Sequence, residues 1–243
     1  MAAFGGYPQN VTFSTVNVAK GGGSENLLIN PRGKINQLNE PDGVLSAGVY
    51  FCDGWKAGAS GAEVYRDADG FRLISGSIVQ LVPNNLGAGR NLRANMDVIS
   101  GSPVMSINGG SDNVVSSDSE YISLEISGNN SKFTRTILAE SLEIPVYQQL
   151  ADEVTPCFKF LRVLDGRSHY YFSVEGATEY LHLSVFLGRF HKNPAITYAN
   201  ISNVSGGVAI YPEIDGFEIK TGAGSGWDSA SIWVDYLTLD ARP

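Results

Sequence analysis

Tyr121-Ile-Ser-Leu-Glu-Ile-Ser127 alternates apolar and polar side chains without interruption, and Ile122, Leu124 and Ile126 occupy every second position. Successive residues of a β-strand point to opposite faces of the sheet, so a period of two places these three side chains on one face. The stretch therefore predicts a half-buried β-strand with its apolar face turned toward a core.

The same pattern continues outward on both sides of this strand. Glu63-Val-Tyr-Arg66 and Phe71-Arg-Leu-Ile74 flank Asp67-Ala-Asp-Gly70, which is typical of a tight hairpin turn. The alternating leucines and valine of residues 181–187 predict another core face. Residues 231–239 are apolar on both faces, which indicates a central or doubly covered strand.

Helical periodicity is confined to one short stretch. Residues 147–154 follow Pro145 and contain residues that tolerate a helix, so two helical turns are expected there. Everywhere else, short alternating runs are separated by Gly, Asn, Asp and Ser. That is the sequence pattern of an all-β sandwich or barrel.

The chain divides into two parts of different composition. Residues 1–25 end at the flexible break Gly21-Gly-Gly-Ser24 and are interpreted as an N-terminal arm or anchor. From residue 26 onward no second change of composition occurs. Residues 26–243 are therefore predicted to form one antiparallel β-sandwich.

Composition and charge exclude several classes of protein. The chain carries 17 basic and 25 acidic residues, a net charge of −8, whereas a nucleic-acid-binding protein needs a basic surface. No apolar run reaches the roughly 18–20 residues of a membrane helix, and the N-terminus does not have the pattern of a classical signal peptide. Cys52 and Cys157 could form one disulfide, but two buried, reduced thiols are the preferred interpretation.

Two phrases near the start of the predicted sandwich carry a family resemblance. Asn-Leu-Leu-Ile-Asn-Pro-Arg-Gly-Lys-Ile at residues 26–35, followed by Gln37, and then Tyr-Phe-Cys-Asp-Gly-Trp at residues 50–55 resemble the opening of jelly-roll modules in bacteriophage tail fibres and tail appendages. Residues 231–239, with Asp235 before Tyr236, resemble the last strand of galactose-binding-like, carbohydrate-binding jelly rolls.

The resemblance implies a jelly-roll virion protein of the tail-fibre or appendage type. Such a subunit would be assembled in the host cytoplasm, lie on the surface or tail of the particle, form a homotrimer and bind host-surface glycan or a neighbouring virion protein. The N-terminal arm would make the attachment to other virion proteins. Related carbohydrate-binding jelly rolls hold a structural calcium, for which Asn30 and Asp235 are the candidate oxygen ligands here.

One predicted sheet face collects aromatic and histidine side chains. If residues 168–174 and the strand that follows form a hairpin, Tyr171 lies across from His182 and Ser173 across from Tyr180, with His169 beside them. Such side chains combine an apolar body with a polar tip, as sugar binding requires. The face is a candidate glycan or partner site. Packing against a second layer or a partner subunit is the favoured alternative, because aromatic sheet faces more often pack than bind.

Trp227 lies in the Gly-rich stretch 221–229, where a ligand or partner contact and a loop folded over the end of the sandwich are equally expected. Trp55, which follows the Asp53-Gly54 turn, is assigned to the core.

Catalytic motifs are missing from the sequence: it contains no nucleophile elbow, phosphate-binding loop or dinucleotide fingerprint, and its histidines lack zinc spacing. We therefore expect a non-catalytic adhesion protein. The alternatives are a capsid decoration or head-fibre protein, a free carbohydrate-binding module, and a glycan depolymerase.

Overall fold

The computed structural model describes residues 25–177, 181–203, 208–221 and 227–243. Within these ranges the chain forms fifteen β-strands and one short 3₁₀ helix, and every strand pair is antiparallel. The predicted all-β antiparallel class is confirmed, whereas the jelly-roll order of connections stays a prediction. In this part of the chain no helix is long and apolar enough to cross a bilayer.

The strands are β1 (Gly43–Leu45), β2 (Tyr50–Cys52), β3 (Trp55–Asp67), β4 (Gly70–Pro83), β5 (Asn91–Ser100), β6 (Val104–Ile107), β7 (Asn113–Val115), β8 (Tyr121–Ser127), β9 (Ser131–Glu140), β10 (Leu161–Ala177), β11 (Leu181–Phe186), β12 (Ala195–Asn203), β13 (Val208–Glu213), β14 (Gly216–Thr221) and β15 (Trp227–Asp240); the 3₁₀ helix is Thr155–Lys159.

The first nine strands form one sheet around a large hydrophobic cluster. Its main path is β1-β3-β4-β9-β5-β7, while β2 joins β3 and the pair β6–β8 joins β4. Ile122, Leu124 and Ile126 of β8 are buried in the cluster, so the predicted core face of this strand is confirmed. Trp55 is buried as well, which confirms its assignment to the core. The centres of the Trp55 and Phe71 rings lie 5.2 Å apart in an edge-to-face arrangement.

The hairpin between β3 and β4 is the one that the sequence predicts. Asp67 pairs with Gly70, so the turn contains only two residues. Gly70 has a φ of +118°, and a Cβ at this position would lie 2.3 Å from the Phe133 carbonyl oxygen of β9. Glycine is therefore required here both by the backbone angle and by the close approach of the neighbouring strand.

The last six strands form two three-stranded sheets that share a second hydrophobic cluster. The orders are β10-β15-β12 and β11-β14-β13, and the cluster takes Leu237 and Leu239 from the first sheet and Phe217 and Ile219 from the second. Two sheets that share one hydrophobic cluster in this way form a small β-sandwich. The strand β15 is central in its sheet, as its apolar residues on both faces predict. One sandwich over residues 26–243 stays a prediction, and the described part of this range contains two separate hydrophobic clusters.

The two phrases that carry the family resemblance meet in one buried polar junction. The Trp55 indole donates to the Asn30 carbonyl at 2.9 Å, and the Asn30 amide donates to the Asp53 carbonyl at 3.0 Å. Asp53, fully buried, accepts hydrogen bonds from the Gln37 backbone at 2.9 Å and from the Gln37 side chain at 2.6 Å. Residues from both phrases thus belong to one set of buried hydrogen bonds, although the phrases are separated in the sequence.

Residues 147–154 are not helical, so the two helical turns predicted there are wrong. The 3₁₀ helix begins one residue later, at Thr155, where the Asp152 carboxylate accepts the backbone N–H groups of Val154 at 2.9 Å and Thr155 at 3.0 Å. Hydrogen bonds of this kind, between an Asp side chain and backbone groups two and three residues later, favour a turn over a continuous helix. The preceding residues run along the surface of the large sheet and form one wall of the groove described below.

Candidate functional site

The predicted aromatic face is divided between two sheets. Tyr171 of β10 pairs with Ser231 of β15, whereas His182 of β11 pairs with Lys220 of β14. The expected pairing of Tyr171 with His182 is therefore wrong, and so is that of Ser173, which pairs with Ser229. The physical reason is that β10 and β11 belong to different sheets and therefore do not pair with each other.

The remaining candidates of this face are placed only in part. His169 pairs with Trp233, and Trp227 is the first residue of β15, opposite Ala177, rather than part of a loop. Tyr180 lies outside the described residues, and so do the side chains of His169, Tyr171, His182 and Trp227. A glycan or partner role for these five residues stays a prediction.

On β11, the side chains are described from Leu183 to the end of the strand at Phe186. Phe186 is 74% exposed, whereas Leu183 and Val185 are partly buried and pack against the second hydrophobic cluster. The predicted alternation of this strand is therefore confirmed for these residues. On the same sheet the Lys220 ammonium lies 4.8 Å from the centre of the Tyr211 ring. This face carries two exposed aromatic rings, those of Phe186 and Tyr211.

The two candidate calcium ligands lie in different parts of the fold. The Asn30 side chain closes a loop, because its amide nitrogen donates to the Ile35 carbonyl at 2.8 Å and its oxygen accepts the Ile35 N–H at 2.9 Å. Asp235 lies on β15, the central strand of the β10-β15-β12 sheet. Among the residues whose placement is described, no three His, Cys, Asp or Glu side chains cluster as a metal site would require. Calcium binding stays a prediction.

The two cysteines are both unpaired and buried, which confirms their interpretation as reduced thiols.

A concave surface lies elsewhere, along β5 and β9 of the large sheet. It is a groove of about 400 Å³, within the size range of small-molecule sites. Two strands provide one wall and the irregular segment after β9 provides the other. The lining residues are Asn95, Asp97, Arg135, Ile137, Val146, Tyr147 and Gln149. We call this surface the β5–β9 groove.

A β-bulge places Arg135 at the groove. Asn95 pairs with Ile137 and Asp97 with Thr134, so β9 contains one residue more than β5 between these two pairs. Arg135 lies in this interval with a φ of +51°, in the left-handed region that a non-glycine residue seldom adopts. Bulges redirect side chains at sheet surfaces, and here the guanidinium of Arg135 lies 3.1 Å from the Asp97 carboxylate.

The opposite wall is held by Tyr147 and a buried ion pair. The Tyr147 hydroxyl donates to Glu153 Oε1 at 3.0 Å, and Glu153 accepts two further hydrogen bonds from the Arg32 guanidinium, at 3.0 and 2.9 Å. The side chains of Arg32 and Glu153 are only 10% and 9% exposed. Burial and the hydrogen bond to Glu153 raise the pKa of Tyr147 to about 12, so its hydroxyl remains a donor at neutral pH.

The two walls belong to one electrostatic network. Asp69 lies 3.1 Å from Arg32 and 3.9 Å from Arg135, and so connects the ion pair behind Tyr147 to the guanidinium at the bulge. Lys34 approaches the same carboxylate at 3.6 Å. Each of these charged side chains thus has at least one oppositely charged neighbour within 4 Å.

Asn95 fixes the irregular segment to the sheet. Its side-chain amide donates to the Pro145 carbonyl at 3.1 Å, and its oxygen accepts the Met96 N–H at 2.9 Å. Beyond this anchor, Val146 and Gln149 are exposed at the rim. The arrangement places an aromatic ring, an amide, a carboxylate and a guanidinium around one open concavity.

One feature of the sequence indicates this groove. Strict alternation along β9 would place Arg135 on the same face as the buried Phe133 and Ile137. A charged residue at a core position of the pattern indicates an interruption such as a bulge. Nothing in the local pattern of residues 142–150 indicates that this segment folds back beside β9.

No protein-family model, no curated protein and no solved structure gives a significant match to this chain. The function is therefore argued from the fold and from the β5–β9 groove.

Proposed function

We propose that this protein is a non-catalytic adhesion subunit of a bacteriophage particle, of the tail-fibre or appendage type, and that it binds host-surface glycan in the β5–β9 groove. The observation that carries the glycan part is the placement of the Tyr147 ring beside Asp97, Arg135 and Gln149 around one concavity. Sugars present apolar C–H faces that stack on aromatic rings and hydroxyl groups that need donors and acceptors at the rim.

The number of carboxylates in the groove favours a binding role over a hydrolytic one. Glycoside hydrolysis commonly uses two carboxyl groups on opposite sides of the scissile bond. Among the described lining residues Asp97 is the only carboxylate, and it is paired with Arg135 at 3.1 Å. We therefore propose that the groove holds a polar ligand without cleaving it, since its described lining residues include no second carboxyl group.

Assignment to a virion rests on the resemblance of the two opening phrases. It is supported by the finding that these phrases fold into one buried junction and by the acidic, weakly charged composition, which limits nonspecific adhesion. In this proposal residues 1–25 attach the subunit to the particle, and three chains associate. Static light scattering of the full chain is expected to give the mass of three chains, and a stable monomer would contradict the trimer.

The glycan-binding part is tested by adsorption of the parent particle, or of the labelled protein, to host cells. Gln149→Ala combined with Asp97→Ala is expected to reduce adsorption strongly, because both side chains line the groove. Gln148→Ala is the matched control, since Gln148 is an exposed neighbour that does not line the groove. Equal adsorption of the double variant and the wild type, with equal melting temperatures, would refute the groove as the receptor site.

A further inference from the structure

We infer that the β5–β9 groove selects a neutral saccharide unit, recognised through two adjacent hydroxyl groups, over acidic sugars and phosphate. This inference rests on the proposed glycan-binding function and specifies the ligand class of the same groove. It is carried by three features of the described side chains: the balance of charges around the groove, the pairing of Asp97 with Arg135, and the restraint on Tyr147.

The charges around the groove cancel. Three cationic side chains, Arg32, Lys34 and Arg135, are connected to three carboxylates, Asp69, Asp97 and Glu153, through contacts of 2.9 to 3.9 Å. The guanidinium of Arg135, which lines the groove, has Asp97 on one side and Asp69 on the other. An acidic ligand that approached Arg135 would also approach Asp97, and the repulsion would offset the attraction.

The pair of Asp97 and Arg135 matches two neighbouring hydroxyl groups. A carboxylate provides only acceptors and a guanidinium only donors, and here the two lie 3.1 Å apart. One hydroxyl can donate to Asp97 while its neighbour accepts from Arg135, and both are charge-assisted hydrogen bonds. A neutral sugar thus engages both groups without breaking their ion pair.

Tyr147 contributes its ring, because its hydroxyl is occupied. The hydroxyl donates to Glu153, which is itself held by two hydrogen bonds from Arg32. The ring is therefore held as one wall of the groove before binding, and no side-chain entropy has to be lost there when the sugar stacks. Arg32 and Glu153 are positioning residues that act through Tyr147.

The test is a binding measurement on the full chain with two sets of probes: neutral hexose oligosaccharides, and oligosaccharides that contain uronic or sialic acid, with inorganic phosphate as a third ligand. Neutral probes are expected to bind at least about tenfold more tightly than acidic probes of the same length. Their affinity should change little between about 50 mM and about 500 mM salt, since no net charge is brought together.

Variants connect the binding to the groove. Asp97→Asn removes one negative charge from the groove. It is expected to weaken the binding of neutral probes and to strengthen the binding of acidic probes. Tyr147→Phe keeps the ring but removes its hydrogen bond to Glu153, so binding should weaken only in part, whereas Tyr147→Ala should lose it. Gln148→Ala is again the unchanged control, and circular dichroism with thermal unfolding verifies the fold of every variant.

The outcomes separate the inference from the function it rests on. Tighter binding of acidic probes that is lost in the Gln149→Ala variant would overturn the neutral-sugar inference and leave glycan binding in the groove intact. Binding of neutral probes that none of the groove variants alters would overturn the inference by placing the sugar elsewhere. Failure of both probe classes to bind would overturn the proposed glycan-binding function itself.

Discussion

The side chain of Gln37 donates to the buried carboxylate of Asp53 at 2.6 Å, and the same nitrogen donates to the Leu161 carbonyl of β10 at 2.8 Å. The Gln37 oxygen accepts the Val163 N–H of β10 at 3.2 Å. One glutamine therefore joins the loop before β1 to β10, an edge strand of the β10-β15-β12 sheet. This relationship gives the two opening phrases of the sequence a structural role that is independent of any ligand.

Replacing Gln37 by Ala should destabilise the protein by about 3 kcal/mol or more, because buried groups left without a partner cost about 1–3 kcal/mol each. Asp53, Leu161 and Val163 would all lose a hydrogen bond. Urea unfolding followed by tryptophan fluorescence measures the change. Gln148→Ala, at an exposed position, is the control. A midpoint shift as small as that of the control would show that the junction contributes little.

The stability of the protein should fall as the pH rises through the range in which Asp53 ionises. Burial raises the pKa of Asp53 above its ordinary value of 3.8, and the hydrogen bonds from Gln37 oppose this only in part. The folded state therefore holds the proton at a pH where the unfolded chain has released it, so unfolding becomes easier as the pH increases from the unfolded to the folded pKa.

Unfolding free energies between about pH 4 and pH 7 test this effect, and Asp53→Asn should flatten that part of the profile. An identical pH profile in wild type and variant would contradict the prediction.

Gly70→Ala should destabilise the protein by several kcal/mol more than Gly43→Ala. The two glycines have nearly the same backbone angle, with φ values of +118° and +119°. A methyl group at Gly70 would lie 2.3 Å from the Phe133 carbonyl oxygen, whereas nothing lies within 4 Å of one at Gly43. Comparing the two variants separates the destabilisation caused by the steric clash from that caused by the backbone angle, which is about 1–3 kcal/mol. Thermal unfolding of both variants is the measurement, and equal melting temperatures would count against the contact.

Arg135→Gly should be more stable than Arg135→Ala by about 1 kcal/mol, because glycine adopts the left-handed backbone without strain. Both variants lose the ion pairs to Asp97 and Asp69, which join half-exposed side chains and contribute about 0–1 kcal/mol. Both should therefore lose saccharide binding while they differ in melting temperature. Equal stability of the two variants would show that the bulge is not strained.

Neither thiol should react in the folded protein. Cys52 and Cys157 are buried, and burial raises the pKa of both, so the reactive thiolate is scarce at pH 8. A colorimetric thiol reagent should detect two thiols per chain in urea and almost none without it. Rapid reaction of one equivalent in the native protein would mean that one of the two sites opens readily.

Much of the local structure could be predicted from the sequence. The alternation in β8 predicted the burial of Ile122, Leu124 and Ile126, and the Asp67 to Gly70 stretch predicted the hairpin. The alternation in β11 predicted that Val185 faces inward and Phe186 outward. These predictions hold because the two faces of a strand and the geometry of a tight turn are encoded within a few neighbouring residues.

The neighbours of each strand were decided only in the tertiary structure. Tyr171 pairs with Ser231, sixty positions away in the chain, because β10 and β11 enter different layers. The β5–β9 groove has the same origin, since it requires a bulge at Arg135, a segment folded back beside β9, and Arg32 from the opening phrase behind Tyr147. Alternation determines which side of a strand is buried, whereas the choice of partner strand depends on contacts between distant parts of the chain, and no local pattern encodes those.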